Sequence, residues 1–144
     1  MELVHNGHRY QIARLNAFDQ LQVARRLSTA LIPLANLRAA ADEKPDDEAL
    51  ARAFVTLTAP LPDDMLTPAI RALLGTIQRD LGGGRGWAPI ATPQGVLMYD
   101  DLDGLDDLNV LLVKALDANK IIDFFVDRPS TSPGEAATAT KANG

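Results

Sequence analysis

A mainly α-helical α+β fold, with four to five helices packed against two short β-hairpins, is what this sequence predicts. Three observations carry the prediction. Apolar residues recur at helical spacing in four stretches between Phe18 and Leu116, each bounded by capping or breaking residues. Asn6-Gly7, the dipeptide best suited to positive φ at both central positions of a tight turn, lies between two short alternating runs. The segment Trp87 to Tyr99, punctuated by Pro89 and by Thr92-Pro-Gln-Gly, has the composition of a second hairpin over residues 87–99.

The first hairpin pairs His5 with His8 and Leu3 with Tyr10 across a two-residue turn. Leu3, Tyr10 and Ile12 then share a face that can lie on a helix, and Glu2, Arg9 and Gln11 stay wet on the other. Asn16 is a good N-cap for the first helix, with Asp19 placed where its carboxylate meets free amides. Phe18, Leu21, Ala24, Leu27, Leu31 and Leu34 form its predicted buried stripe. Pro33 removes a backbone donor, so a bend near Leu31, or the end of the regular helix, is expected before a polar connection.

Asp46 and Asp47 open a second helix with Leu50, Phe54 and Leu57 on one face, and Pro60 and Pro62 forbid its continuation. A third starts either at Asp63 and Asp64 or at Thr67 with Pro68 in the first helical position. Its stripe, Ile70, Leu73, Leu74, Ile77 and Leu81, runs to Gly82-Gly83-Gly84, which should stop it. After the second hairpin, Leu105, Leu108, Leu111, Leu112, Ala115 and Leu116 predict a further helix. Asn119 can break it, and Ile122, Phe125 and Val126 pack back onto the body. Residues 1–127 read as one globular domain. From Arg128 the chain is small and polar with no apolar period, and 128–144 reads as a disordered tail.

Composition narrows the function classes. The chain has 144 residues, 47% hydrophobic and 23% charged, a soluble globular balance. No run approaches the ~18–20 apolar residues of a bilayer span, and MELVHNGHRY lacks the basic-then-apolar order of a signal peptide, so a cytoplasmic location is expected. With no cysteine there is no disulfide, thiolate metal site or cysteine nucleophile. A net charge of −5 gives no general field for nucleic acid, and Arg25-Arg26 is too small a spot to supply one.

The most chemically suggestive run is DDLDGLDDL, Asp100 to Leu108. With Gly104 in the turn position, a calcium loop needs oxygen ligands at Tyr99, Asp101 and Asp103 and a bidentate Glu at position 110, which is Val110. The first and last ligands are missing. Asp103, Asp106 and Asp107 instead suit the first turn of the helix that follows. The GGGRG run after a predicted helix lacks the Lys-Ser or Lys-Thr of a phosphate loop. His5 and His8 face the same way across their turn, but two ligands rarely hold a metal. Ser28 lies within a helix, and Ser130 and Ser132 lie in the tail, so no Ser-His-Asp order forms. No catalytic residue, metal site or cofactor is expected. The chain reads as an interaction protein rather than an enzyme.

The order of features resembles the phage tail assembly chaperone family over roughly residues 1–127. The likeness rests on the NGHRYQIARLN hairpin, the FDQLQVARRL helix, a central helix ending in glycines, the WAPIATPQGVLMYDDL hairpin and a last helix ending near KIIDFF. It implies a chaperone that binds the tape-measure protein of a phage or prophage tail and keeps it soluble in the host cytoplasm. It also implies help in recruiting tail-tube subunits before release, with no catalytic residue to carry over. Some members are also made in a longer, frameshifted form whose extra C-terminal part contacts the tube protein. For the contact surface, Trp87, Ile90, Phe124 and Phe125 stand out, as aromatics on a hairpin and near a chain end are apt anchors. The other reading places all four in the core. Two further classes compete: a structural tail subunit of terminator or connector type, and a small acidic metal-dependent regulatory protein. A prophage transcriptional regulator would need a basic recognition helix, and no helix here qualifies.

Overall fold

The computed structural model describes residues 1–40, 45–102 and 104–126; Asp103 and the tail expected over 128–144 lie outside the described residues. Among the described residues, five helices and one antiparallel sheet of order β1-β2-β3-β4 make a mainly helical α+β architecture. Strands β1 (Glu2–His5) and β2 (His8–Ile12) pair in the expected register, His5 with His8 and Leu3 with Tyr10. Asn6 and Gly7 both take positive φ, which is what the two-residue turn demands. Tyr10 and Ile12 are buried on the inner face, and Glu2 and Arg9 are exposed on the other.

Helix α1 spans Ala17–Ala40. Asn16 caps it, accepting from the Asp19 amide at 2.8 Å, as its position predicts. Two expectations are corrected here. The helix does not end at Pro33 but continues to Ala40. Pro33 is exposed, as is Thr29, whose carbonyl loses its partner, so solvent can meet that oxygen while buried Leu34 and Ala35 hold the next turn to the core. The buried face is also rotated: Val23, Leu27, Ala30, Leu31, Leu34 and Ala35 are buried, whereas Phe18 is 66% and Leu21 50% exposed. The helix is apolar on two sides, and the expected stripe switched from one to the other near Leu27.

Helix α2 (Asp47–Thr58) starts at Asp46, whose carboxylate accepts from the Ala49 amide at 2.7 Å, and buries Leu50 and Phe54. Helix α3 (Asp63–Leu74) begins at the two aspartates, so Pro68 falls inside it. The carbonyl that Pro68 leaves without an amide is that of Asp64, and Arg26 Nη1 donates to it at 3.1 Å. Half of the short basic spot on α1 thus serves as a patch on a broken helical ladder.

The largest correction concerns the segment after α3. The helix does not run to the glycines but ends at Leu74, where Thr76 Oγ1 donates back to the Leu73 carbonyl at 2.7 Å. Ile77–Asp80 forms strand β3, with Ile77 and Arg79 buried and Gln78 and Asp80 less so. Ile77 and Leu81 fit a helical stripe and an alternating strand equally well, and the open edge of β2 decides: Tyr10 pairs with Arg79 and Ile12 with Ile77. Strand β4 (Trp87–Pro89) pairs with β3, so GGGRG closes a β3–β4 hairpin and follows a strand. Gly82, Gly83, Gly84 and Gly86 all take positive φ, which other residues would resist. No helix follows this loop, so it still has no phosphate-binding geometry. The hairpin expected over 87–99 shrinks to a turn in which Ala91 bridges Leu97 and Met98 donates to the Ile90 carbonyl at 2.8 Å.

A 3-10 turn at Asp100–Leu102 leads to α4 (Leu105–Ala118). Leu111, Leu112, Ala115 and Leu116 are buried as expected, although Leu105 is exposed. Asn119 ends the helix, donating to the Ala115 carbonyl and accepting from the Leu15 amide at 2.7 Å. Lys120 follows in the left-handed region, and α5 (Ile121–Phe124) turns back along α1. The core lies among α1 to α5 and the inner face of the sheet.

Candidate functional site

Two carboxylates of the acidic run, Asp101 and Asp107, pair with side chains of the N-terminal hairpin and of β3. Arg79 is 6% exposed, and its guanidinium meets Asp101 through two bonds of 2.8 and 3.0 Å. It lies 4.4 Å from the Tyr99 ring centre and 5.9 Å from that of Tyr10. The hydrogen bonds from Arg79 hold the Asp101 carboxyl below its ordinary range. Burial pushes the Tyr10 phenol up, so a neutral ring faces the cation. Asp107 accepts from His5 Nε2 at 2.9 Å and from Asn6 Nδ2 at 2.7 Å. His8 faces Asp101 instead, at 3.5 Å, so the two histidines do not converge on one point. Gly104 sits where a calcium loop would turn, yet its role is different: a Cβ there would stand 3.0 Å from Asp107 Oδ2, so its absence makes room for that carboxylate. Among the described residues no group of three His, Asp or Glu is arranged to hold a metal ion.

The four residues named from sequence fall in three places. Ile90 is 0% exposed and packs within the core, so as folded it offers a partner no surface. It follows strand β4, and its amide donates to the Ile77 carbonyl at 3.3 Å, which fixes it on the inner face opposite Ile77. Trp87 pairs with Asp80 on the outer face of the sheet, partly buried, with the Arg9 guanidinium 5.5 Å from its ring centre. Phe124 and Phe125 end α5, their rings edge to face at 5.3 Å. Phe125 packs against the core, whereas Phe124 is 78% exposed.

Phe124 borders an apolar groove of about 280 Å³, which runs between the first half of α1 and the α4–α5 junction. Ala17, Leu21 and Ala24 line it from α1 and Ile121 and Phe124 from α5, with the exposed Arg14 and Lys120 at the rim and Gln20 and buried Asn119 completing the lining. Phe18 stands one turn before Leu21, on its flank. Both charged residues lining the groove are cations, in a chain whose net charge is −5. Neither Arg14 nor Lys120 joins an ion pair among the described residues. Sequence reasoning missed Arg14, Leu21 and Lys120. A signal was present: a helix carrying both the Phe18-Leu21-Ala24 series and the Val23-Leu27-Leu31 series cannot bury both faces against one core.

A protein-family model described as "Phage tail assembly chaperone protein, TAC" matches residues 6–125. No curated protein and no solved structure gives a significant match.

Proposed function

The chain belongs to the phage tail assembly chaperone family, and from that premise we propose that it binds the tape-measure protein of a phage tail, keeps it soluble and helps recruit tail-tube subunits around it. The proposal places this work in the host cytoplasm and needs no catalysis. A tape measure is a long, helix-rich, apolar-rich chain, and its stripes aggregate unless covered until the tube closes round them. The observation that carries the reading is a family match over most of the chain, joined to an exposed apolar groove on α1 and α5 that the fold leaves open.

Against the metal-dependent alternative, two of the five carboxylates of the acidic run, Asp101 and Asp107, are engaged by Arg79, His5 and Asn6. A structural tail subunit remains separable by experiment. A tagged copy of the chain should retain the tape-measure protein from lysates of phage-producing cells, and mass spectrometry of purified virions should find none of the chain. Its presence in virions at a fixed copy number would make it a structural subunit.

A further inference from the structure

We propose that the α1–α5 groove takes one amphipathic helix whose apolar stripe is flanked by acidic residues, with Lys120 and Arg14 reading the acids. The inference rests on the tape-measure reading and adds the surface and the chemistry of the bound segment. Three observations lead to it.

The first is shape. The wall from Ala17 to Ala24 covers about two turns of α1, roughly 10 Å. That length matches anchors at i, i+3 or i+4, and i+7 of a docked helix, with Leu21 and Phe124 gripping from opposite sides. An extended strand would need open backbone donors and acceptors, and this groove has helical walls whose backbone groups are mostly engaged.

The second is charge. The groove is lined by two cations and no acid, on a chain in which acids outnumber bases. The acids in the first turns of α1 and α5, Asp19 and Asp123, do not line it. Four of the nine other described cations are in ion pairs, Arg9 with Glu2 and Asp80, Arg38 with Asp117, Arg79 with Asp101 and Lys114 with Asp47; the five that are not, Arg25, Arg26, Arg52, Arg71 and Arg85, do not line the groove. Acidic residues beside the stripe of the bound helix would complete Arg14 and Lys120 and set its orientation.

The third is backbone. Lys120 has φ 58, in the left-handed region, directly after the α4 C-cap. Glycine suits that position better, and an L side chain is strained there. A lysine at a site where it costs stability puts a positive charge at the groove rim, and strain of this kind clusters at functional positions.

The test uses the full chain and 20-residue peptides tiling the helical parts of the tape-measure protein, with binding read by fluorescence anisotropy. At least one peptide with an acidic-flanked stripe should bind. Lys120→Gly should raise the Tm by about 2–5 °C while weakening that binding about 3- to 10-fold. Leu21→Ser with Phe124→Ser should weaken it more than tenfold with the Tm nearly unchanged, since both side chains are already exposed. Val96→Ser with Met98→Ser, exposed residues away from the groove, should bind as the parent does. Binding should also fall as salt rises. Full binding by the Leu21/Phe124 variant, or loss only in the Val96/Met98 variant, overturns the groove while leaving the tape-measure reading standing. Equal binding by Lys120→Gly and the parent overturns the role of the rim cation. Failure of the parent chain to bind any peptide or the whole tape measure overturns the functional reading, and this inference with it.

Discussion

Asp101→Ala is expected to lower stability by about 3–5 kcal/mol, because it strands the Arg79 guanidinium in a nearly dry place. A surface aspartate would ordinarily be worth little, and Asp101 keeps 47% of its side chain in water. Its partner makes the difference. Arg79 lies between the Tyr10 and Tyr99 rings on the inner face of β3. Without the carboxylate its charge is left with ring faces alone. The reverse substitution, Arg79→Met, should cost less, because it leaves behind an anion that water can reach. The Asp101→Ala/Arg79→Met pair should recover part of the loss. Urea unfolding of the four proteins reads this directly, and equal single-mutant costs would contradict it. The same pair sets an acid limit. The folded-state pKa of Asp101 is depressed, so its stabilisation is present above the ordinary carboxylate range and lost as pH falls through the lowered value. The stability curve of Asp101→Ala should therefore be flatter in acid than that of the parent.

Ile90→Ala should cost about 2–5 kcal/mol, as expected for a fully buried isoleucine whose space cannot collapse. Ile90 is held opposite Ile77 by the Ile90-to-Ile77 backbone bond, and Met98 donates to the Ile90 carbonyl, so backbone on both sides resists relaxation. Any loss of partner binding in this variant should follow unfolding and return when binding is measured well below its lowered Tm. Weakened binding by a fully folded Ile90→Ala would instead make Ile90 a contact residue.

Local signals were the legible ones. The Asn6-Gly7 turn, the Asn16 and Asp46 caps and the Asn119 stop each depend on a few neighbouring atoms, and each forms where expected. Decisions taken at a distance were not legible. Ile77 to Asp80 became a strand because β2 had an open edge 65 or more residues earlier in the chain. Pro33 stayed in a helix because burial of Leu34 and Ala35 outweighed one lost hydrogen bond. The acidic run was readable as the entrance to α4, yet its pairing with Arg79 and with His5 required knowing which elements meet. For the proposed groove, Phe124 stood out from its place near KIIDFF, whereas the residues across the groove from it did not. Leu21 belonged to a stripe that looked like core, and neither the place of Lys120 beside the groove nor its positive φ can be read from the sequence.

The central claim is that this chain keeps a tape-measure protein in solution by covering it. Co-expression of the tape-measure protein with the chain, followed by ultracentrifugation of the lysate, tests it most directly. The tape measure should stay in the supernatant with the chain bound along it, and should pellet when the chain is omitted. A tape measure that is equally soluble with and without the chain would contradict the account.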